Sequence, residues 1–222
     1  HVAYQPLGVD TAVFSPHRRR HDLRRRLGLS PQVRLLAYAG RFASEKNLPV
    51  LLDAFSCLGP GYHLLLLGGA QSHQPMSNVT VRPYCRDNTE LAAWLASVDA
   101  LVHAGTAETF GLVILEAMAC GRPVVGVRSG AVPELVDDSV GVLVERAVPS
   151  LFAEGIRNLY DRDLEELGHA ARERVLSRFT WQQALRSQHA VYVALCGVGA
   201  HPEQAMAPRA AQQGTAELPA EA

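Results

Sequence analysis

Two carboxylates, Glu108 and Glu116, bracket the stretch ETFGLVILE. Between Phe110 and Cys120 nearly every other residue is apolar or small, the composition of an element buried against something. An unpaired carboxylate costs several kcal/mol in such surroundings, so each glutamate needs a partner or a ligand. The turn from Thr109 to Leu112 reads as the opening of a helix whose first backbone N–H groups lack an intrahelical partner. With the positive end of the helix dipole, those donors form a ready anion site. Gly111 lets a ligand approach the backbone closely. Glu116 falls roughly one and a half to two turns further along, placed to face a crevice while Leu112, Val113, Leu115 and Ala119 pack inward. Two carboxylates flanking an anion site suit a ligand with a phosphate centre and hydroxyl-bearing groups on both sides. A nucleotide sugar has that form.

The elements that must position these groups alternate along the chain. LLAYA (35–39), HLLLLG (63–68), ALVHA (100–104), PVVGV (123–127) and GVLVE (141–145) are strand-length. The first three are nearly continuous apolar runs, as expected for strands covered on both faces of a parallel sheet. Between them NLPVLLDAFSCL (47–58), NTELAAWLASV (88–98) and GLVILEAMAC (111–120) read as helices. Asn88 is the expected cap of the second, with Leu91, Leu95 and Val98 on its apolar face. Such alternation predicts a doubly wound α/β sheet, in which ligands gather at the carboxyl ends of the strands. Past Pro149 the chain reads as three successive helices, 150–160, 164–179 and 180–195. Thr180 is the expected cap of the last, with Trp181, Leu185 and Tyr192 as packing residues. Residues 197–222, rich in Ala, Gln, Pro and Gly, read as a disordered tail after one domain over 1–196.

Composition excludes several functions. A net charge of −1 gives no general affinity for nucleic acid or anionic membrane. The local run HRRRHDLRRR (17–26), with six arginines and one aspartate, reads as a solvated helix before the first strand. A patch for phospholipid headgroups or another domain is the second reading. The four cysteines are far apart without a CxxC pair, which fits reduced thiols in a cytoplasmic protein. No apolar window is long enough to span a membrane. No cluster of Asp and His points to a metal, and no cofactor is implied. No G-x-G-x-x-G follows the first strand, which disfavours a dinucleotide-dependent oxidoreductase, and no P-loop is present. The chain opens on His1 and looks like a piece of a longer protein.

Five ordered motifs carry a resemblance. YQPLGVDTAVFSP (4–16), AGRFASEKN (39–47), ETFGLVILE with LEAMACGRPVVG (108–126), SGAVPELV (129–136) and GVLVE (141–145) resemble, in order, the signatures of the retaining "group 1" glycosyltransferases, family GT4. The resemblance covers residues 4 to about 195. It implies the C-terminal half of a GT-B fold, a Rossmann-like doubly wound parallel sheet with C-terminal helices, whose N-terminal acceptor domain is absent. It implies that Arg41 and Lys46 bind the donor diphosphate, that Glu108 contacts the transferred sugar and that Glu116 accepts from the ribose hydroxyls. The backbone of Thr109, Phe110, Gly111 and Leu112 would contact sugar and diphosphate. RPYC (82–85) falls where the family's main chain contacts the base, and Glu134 where a structural glutamate fixes a loop near the cleft. Leu7 replaces the usual Asn, Asn47 and Ala131 the commoner Gly, and Gly105–Ala107 the commoner "PS" followed by a bulky residue.

The implied reaction is hexosyl transfer from a nucleotide-diphosphate sugar with retention of anomeric configuration and without a metal. The partners would be that donor and the absent acceptor domain, with peripheral membrane contact through the parent protein left open. By resemblance alone, HAGTAETFG leans toward a mannosyltransferase using GDP-mannose over a UDP sugar. As an isolated piece the chain would be inactive, and a nucleotide-sugar-binding module without turnover is the alternative. His103, at a strand end, is read as a polar residue closing the strand and not as catalytic.

Overall fold

A computed structural model describes residues 5–69 and 76–196. Six parallel strands form one sheet in the order β3-β2-β1-β4-β5-β6. They are β1 (Arg34–Ala39), β2 (Tyr62–Leu67), β3 (Val79–Arg82), β4 (Ala100–His103), β5 (Val124–Val127) and β6 (Gly141–Val144). The order reverses between β1 and β4, which makes the crevice beyond their carboxyl ends the switch point of a doubly wound sheet. Strands β1 and β2 are buried on both faces apart from Arg34, which explains why their sequences run apolar without alternation.

The period of two still sorts their side chains into two layers. Leu35, Ala37, Leu65 and Leu101 face a core shared with α3 (Asn88–Leu95), α4 (Leu112–Ala119) and α7 (Leu164–Arg178). Leu36, Tyr38, Leu64 and Val102 face the other, shared with α2 (Leu48–Leu58) and α6 (Pro149–Tyr160). Short α1 (Leu23–Arg26) precedes the sheet, α5 (Val132–Leu135) follows β5, and α8 (Trp181–Cys196) ends the described chain.

Expected elements and observed ones differ in five places. VTVR forms β3, an edge strand that sequence reading missed because four half-buried residues give too short an apolar signal. Asp87, not Asn88, caps α3, its carboxylate accepting from Thr89 N–H at 2.8 Å. The arginine-rich run forms only a 3-10 turn at Pro16–Arg18 and the single turn of α1, because Leu23 is its one buried anchor. Thr180 does cap α8, with reciprocal bonds to Gln183. Trp181, Leu185 and Tyr192, however, do not pack; they are about half exposed, at 48%, 57% and 57%, and Ala184 is the buried residue of that helix. Leu112 likewise does not pack inward and is 41% exposed, since the first turn of α4 stands at the rim of the sheet. The tail expected over 197–222 lies outside the described residues.

Candidate donor site

Two loops meet over the switch point. The first follows β1 and carries Arg41 and Lys46; the second follows β4 and carries Glu108. Asn47 ties them together. It has left-handed backbone angles, φ 51° and ψ 39°, and its side-chain amide donates to Ala104 O at 2.9 Å. A glycine would adopt that backbone freely, and asparagine is among the residues that tolerate it. The replacement of the commoner Gly therefore gains a cross-loop hydrogen bond.

Glu108 is held from three sides. Lys46 Nζ donates to Oε2 at 2.7 Å, and Gly111 N–H donates to Oε1 at 3.2 Å. His103 Nε2 lies 3.3 Å from Oε2, and neither ring nitrogen has another partner among the described residues. The His103 imidazole first, then Lys46, hold the Glu108 carboxyl at about 2, well below the usual carboxylate range, against the opposing effect of burial. His103 is itself almost fully buried, and sequence reading did not place it in the site. The available signal was a histidine ending an apolar strand five positions before Glu108: a buried imidazole needs a partner.

The loop after β5 supports this arrangement through its backbone. Ala131 N–H donates to Glu108 O at 2.9 Å, and Ser129 Oγ donates to Thr106 O at 2.8 Å. Gly130, at φ 55°, comes so close that a Cβ would stand 2.4 Å from Glu108 O. Glu134 does not do the fixing expected of it; its side chain is exposed and has no hydrogen bond or ion pair among the described residues.

Beyond Glu108 the chain turns through Gly111, at φ 86°, into α4, which no side chain caps. The first N–H groups of the helix therefore open toward the crevice. Glu116 lies further along α4, and its carboxylate has no hydrogen bond or ion pair among the described residues. Burial pushes its carboxyl up to about 7.

The expected site residues thus divide. Lys46 and the backbone of Gly111 both meet Glu108, with Thr109, Phe110 and Leu112 on the same turn. Glu116 stands apart on the helix, its carboxylate without a partner among the described residues. Arg41 extends into solvent, 77% exposed, its guanidinium 3.9 Å from Glu45. Its backbone is pinned, since the buried Tyr38 hydroxyl donates to Arg41 O at 2.8 Å. RPYC begins at the carboxyl end of β3, on the same edge of the sheet, with Tyr84 exposed.

Residues 33–162 match the family described as "Glycosyl transferases group 1". The chain belongs to that family. It is similar to a GDP-mannose-dependent alpha-(1-6)-phosphatidylinositol dimannoside mannosyltransferase of Mycobacterium tuberculosis, at 31% identity over 86% of this chain and 51% of that protein. It is similar also to a D-inositol 3-phosphate glycosyltransferase of Xylanimonas cellulosilytica, at 34% identity over 84% and 50%. The chain spans about half the length of the curated relatives it matches. Among solved structures, sucrose-phosphate synthase from Thermosynechococcus elongatus aligns at TM-score 0.75 and 27% identity, over 87% of this chain and 52% of that one. The C-terminal domain of a group 1 family protein from Francisella tularensis aligns at TM-score 0.67 and 23% identity, over 78% of this chain and 99% of that domain. The sheet and its helices are those of the GT-B glycosyltransferases.

Proposed function

We propose that this chain is the donor-binding part of a retaining glycosyltransferase that takes a hexosyl group from a nucleotide-diphosphate sugar. The observation that supports it most is the uncapped start of α4 at the switch point, with the Lys46–Glu108 pair on one side and the unpartnered Glu116 on the other. A diphosphate over the N–H groups of residues 109–112 receives preorganised donors, that of Gly111 once Glu108 releases it. Lys46 has three N–H donors, so it bridges Glu108 and a phosphate oxygen together. Arg41 swings from its exposed position onto the same charge. These cations offset the negative charge that develops as the anomeric C–O bond breaks, and no metal is needed for it. Glu116 accepts from the ribose hydroxyls and Glu108 from a sugar hydroxyl, so binding energy away from the reacting bond fixes the geometry. Attack comes from the face the diphosphate leaves, with the leaving phosphate taking the acceptor's proton, and configuration is retained.

GDP-mannose is the first donor to test, because the Mycobacterium tuberculosis relative is named for it; a UDP sugar is the second. The half of the relatives that this chain does not match would carry the acceptor side, so the chain by itself binds donor without turning it over. The four unpaired cysteines fit a cytoplasmic setting, and no described helix is long and apolar enough to cross a membrane. Calorimetric titration with GDP and UDP tests the reading. Saturable binding of one diphosphate, weakened by about tenfold in Glu116→Ala, is expected from the loss of charge-assisted hydrogen bonds. Binding of neither would sink it.

A further inference from the structure

At the opposite edge of the sheet, where β4 and β5 begin, lies a pocket of about 640 Å³. Arg19, His17 and His21 of the arginine-rich run line it, with Arg122 from the turn between α4 and β5 and with His169 and Arg172 from α7. Helix α7 touches that turn directly: a Cβ on Gly168 would stand 2.3 Å from Gly121 O. This close approach brings Arg172 and Arg122 to one concavity.

The cations there lack matching anions. Of the two acids in the wall, Asp99 is fully committed, accepting from Arg24 at 2.6 Å, from Leu35 N–H at 2.8 Å and from the Tyr160 hydroxyl at 2.9 Å. Glu165 is exposed. Among the described residues neither acid forms an ion pair with Arg19, Arg122 or Arg172. Arg122, largely withdrawn from solvent, donates from Nε to Cys120 O at 3.3 Å, and Arg172 donates to the carbonyls of Phe14 and Ala119. Burial, then the charge of Arg19, pull Arg122 below the usual guanidinium range. Clustered guanidiniums without an ion-pair partner of their own are costly, and their planar forks match phosphate oxygens two at a time. The volume holds more than a single small ion.

We infer that this pocket binds a phosphate monoester or diphosphate, free or on a lipid headgroup, through Arg19, Arg122 and Arg172. It is separate from the donor site, since β4 runs from the pocket at Asp99 to the crevice at His103. The test uses Lys46→Ala as background, so that the donor site competes less for the probe. Inorganic pyrophosphate is titrated calorimetrically, and in parallel the chain is sedimented with phosphatidylcholine vesicles containing phosphatidic acid. Saturable binding in either arm is expected, reduced by about tenfold or more in Arg19→Glu, whose exposed side chain puts the fold at no risk. The arm that responds tells a free phosphate from a headgroup. No saturable binding in either arm, or binding indifferent to Arg19→Glu, overturns the inference. Because the readout is the dependence on Arg19, which lies at the far end of the strands from the crevice, failure here is distinct from failure of the donor reading.

Discussion

Glu108 and Glu116 carry the same carboxyl group, yet their surroundings push them in opposite directions, to about 2 and about 7. For Glu116 the folded chain keeps its proton up to about 7 while the unfolded chain releases it near 4.5. The folded state then binds more protons between those values, so its contribution to stability falls as pH rises through that window. Glu116→Gln removes the slope, and urea unfolding is expected to show it more stable than the parent by about 1–3 kcal/mol at about pH 8, with little difference at about pH 4. A parent whose stability shows no such dependence would contradict the burial argument. Glu108 acts the other way, its contribution being present above 4.5 and lost as pH falls toward 2. Lys46→Ala removes one of its cations, and a carbon-detected NMR titration is expected to show the Glu108 carboxyl moving upward; the pair is mostly covered but not dry, which makes a cost of about 1–2 kcal/mol the expectation. Both glutamates were legible in the sequence because a carboxylate amid apolar residues raises its own question. His103 was not, since a lone histidine at a strand end gives no sign of which way its ring faces.

Among the elements, the loop after β5 shows how a backbone can hold a site that its side chains do not touch. Gly130→Ala places a methyl group 2.4 Å from Glu108 O in a left-handed backbone, whereas Gly28→Ala meets nothing within 4 Å at a similar φ of 70°. Strain alone costs about 1 kcal/mol, so thermal unfolding is expected to show Gly28→Ala near that value and Gly130→Ala well beyond it. Equal losses would mean that the contact with Glu108 is unimportant. At the other end, α8 buries only Ala184. Shortening a chain that ends at Cys196 back to Arg186 is therefore expected to cost under about 1 kcal/mol in the same measurement, because that part of α8 buries little apolar surface. The long elements were readable from apolar period and length. The edge strand β3 and the orientation of α8 were not, because a half-buried strand and an amphipathic helix that touches the described residues mainly through its first turn leave the same pattern as a loop and a packed helix.

For the whole molecule, the strand order supplies what no motif alone could. The reversal between β1 and β4 brings residues 41–47 and 104–112 to one crevice, although more than fifty positions separate them in the chain. The arginine-rich run, unremarkable as a charged segment, becomes one wall of a pocket at the far edge only when α7 folds back against the turn after α4. These two sites share α4, whose first residues face the crevice and whose last carbonyls meet Arg122 and Arg172. The central claim is that a donor diphosphate sits on the start of that helix. The most direct measurement is a nitrogen-15 NMR titration of the chain with GDP and UDP, following the backbone amides. Large shifts are expected at residues 109–112 and along α4 to Glu116, and these remain in Arg19→Glu, whereas any at Gly121, Arg122 and Gly168 in the far pocket are lost in that variant. Shifts confined to those last three residues, with the start of α4 unmoved, would contradict the claim.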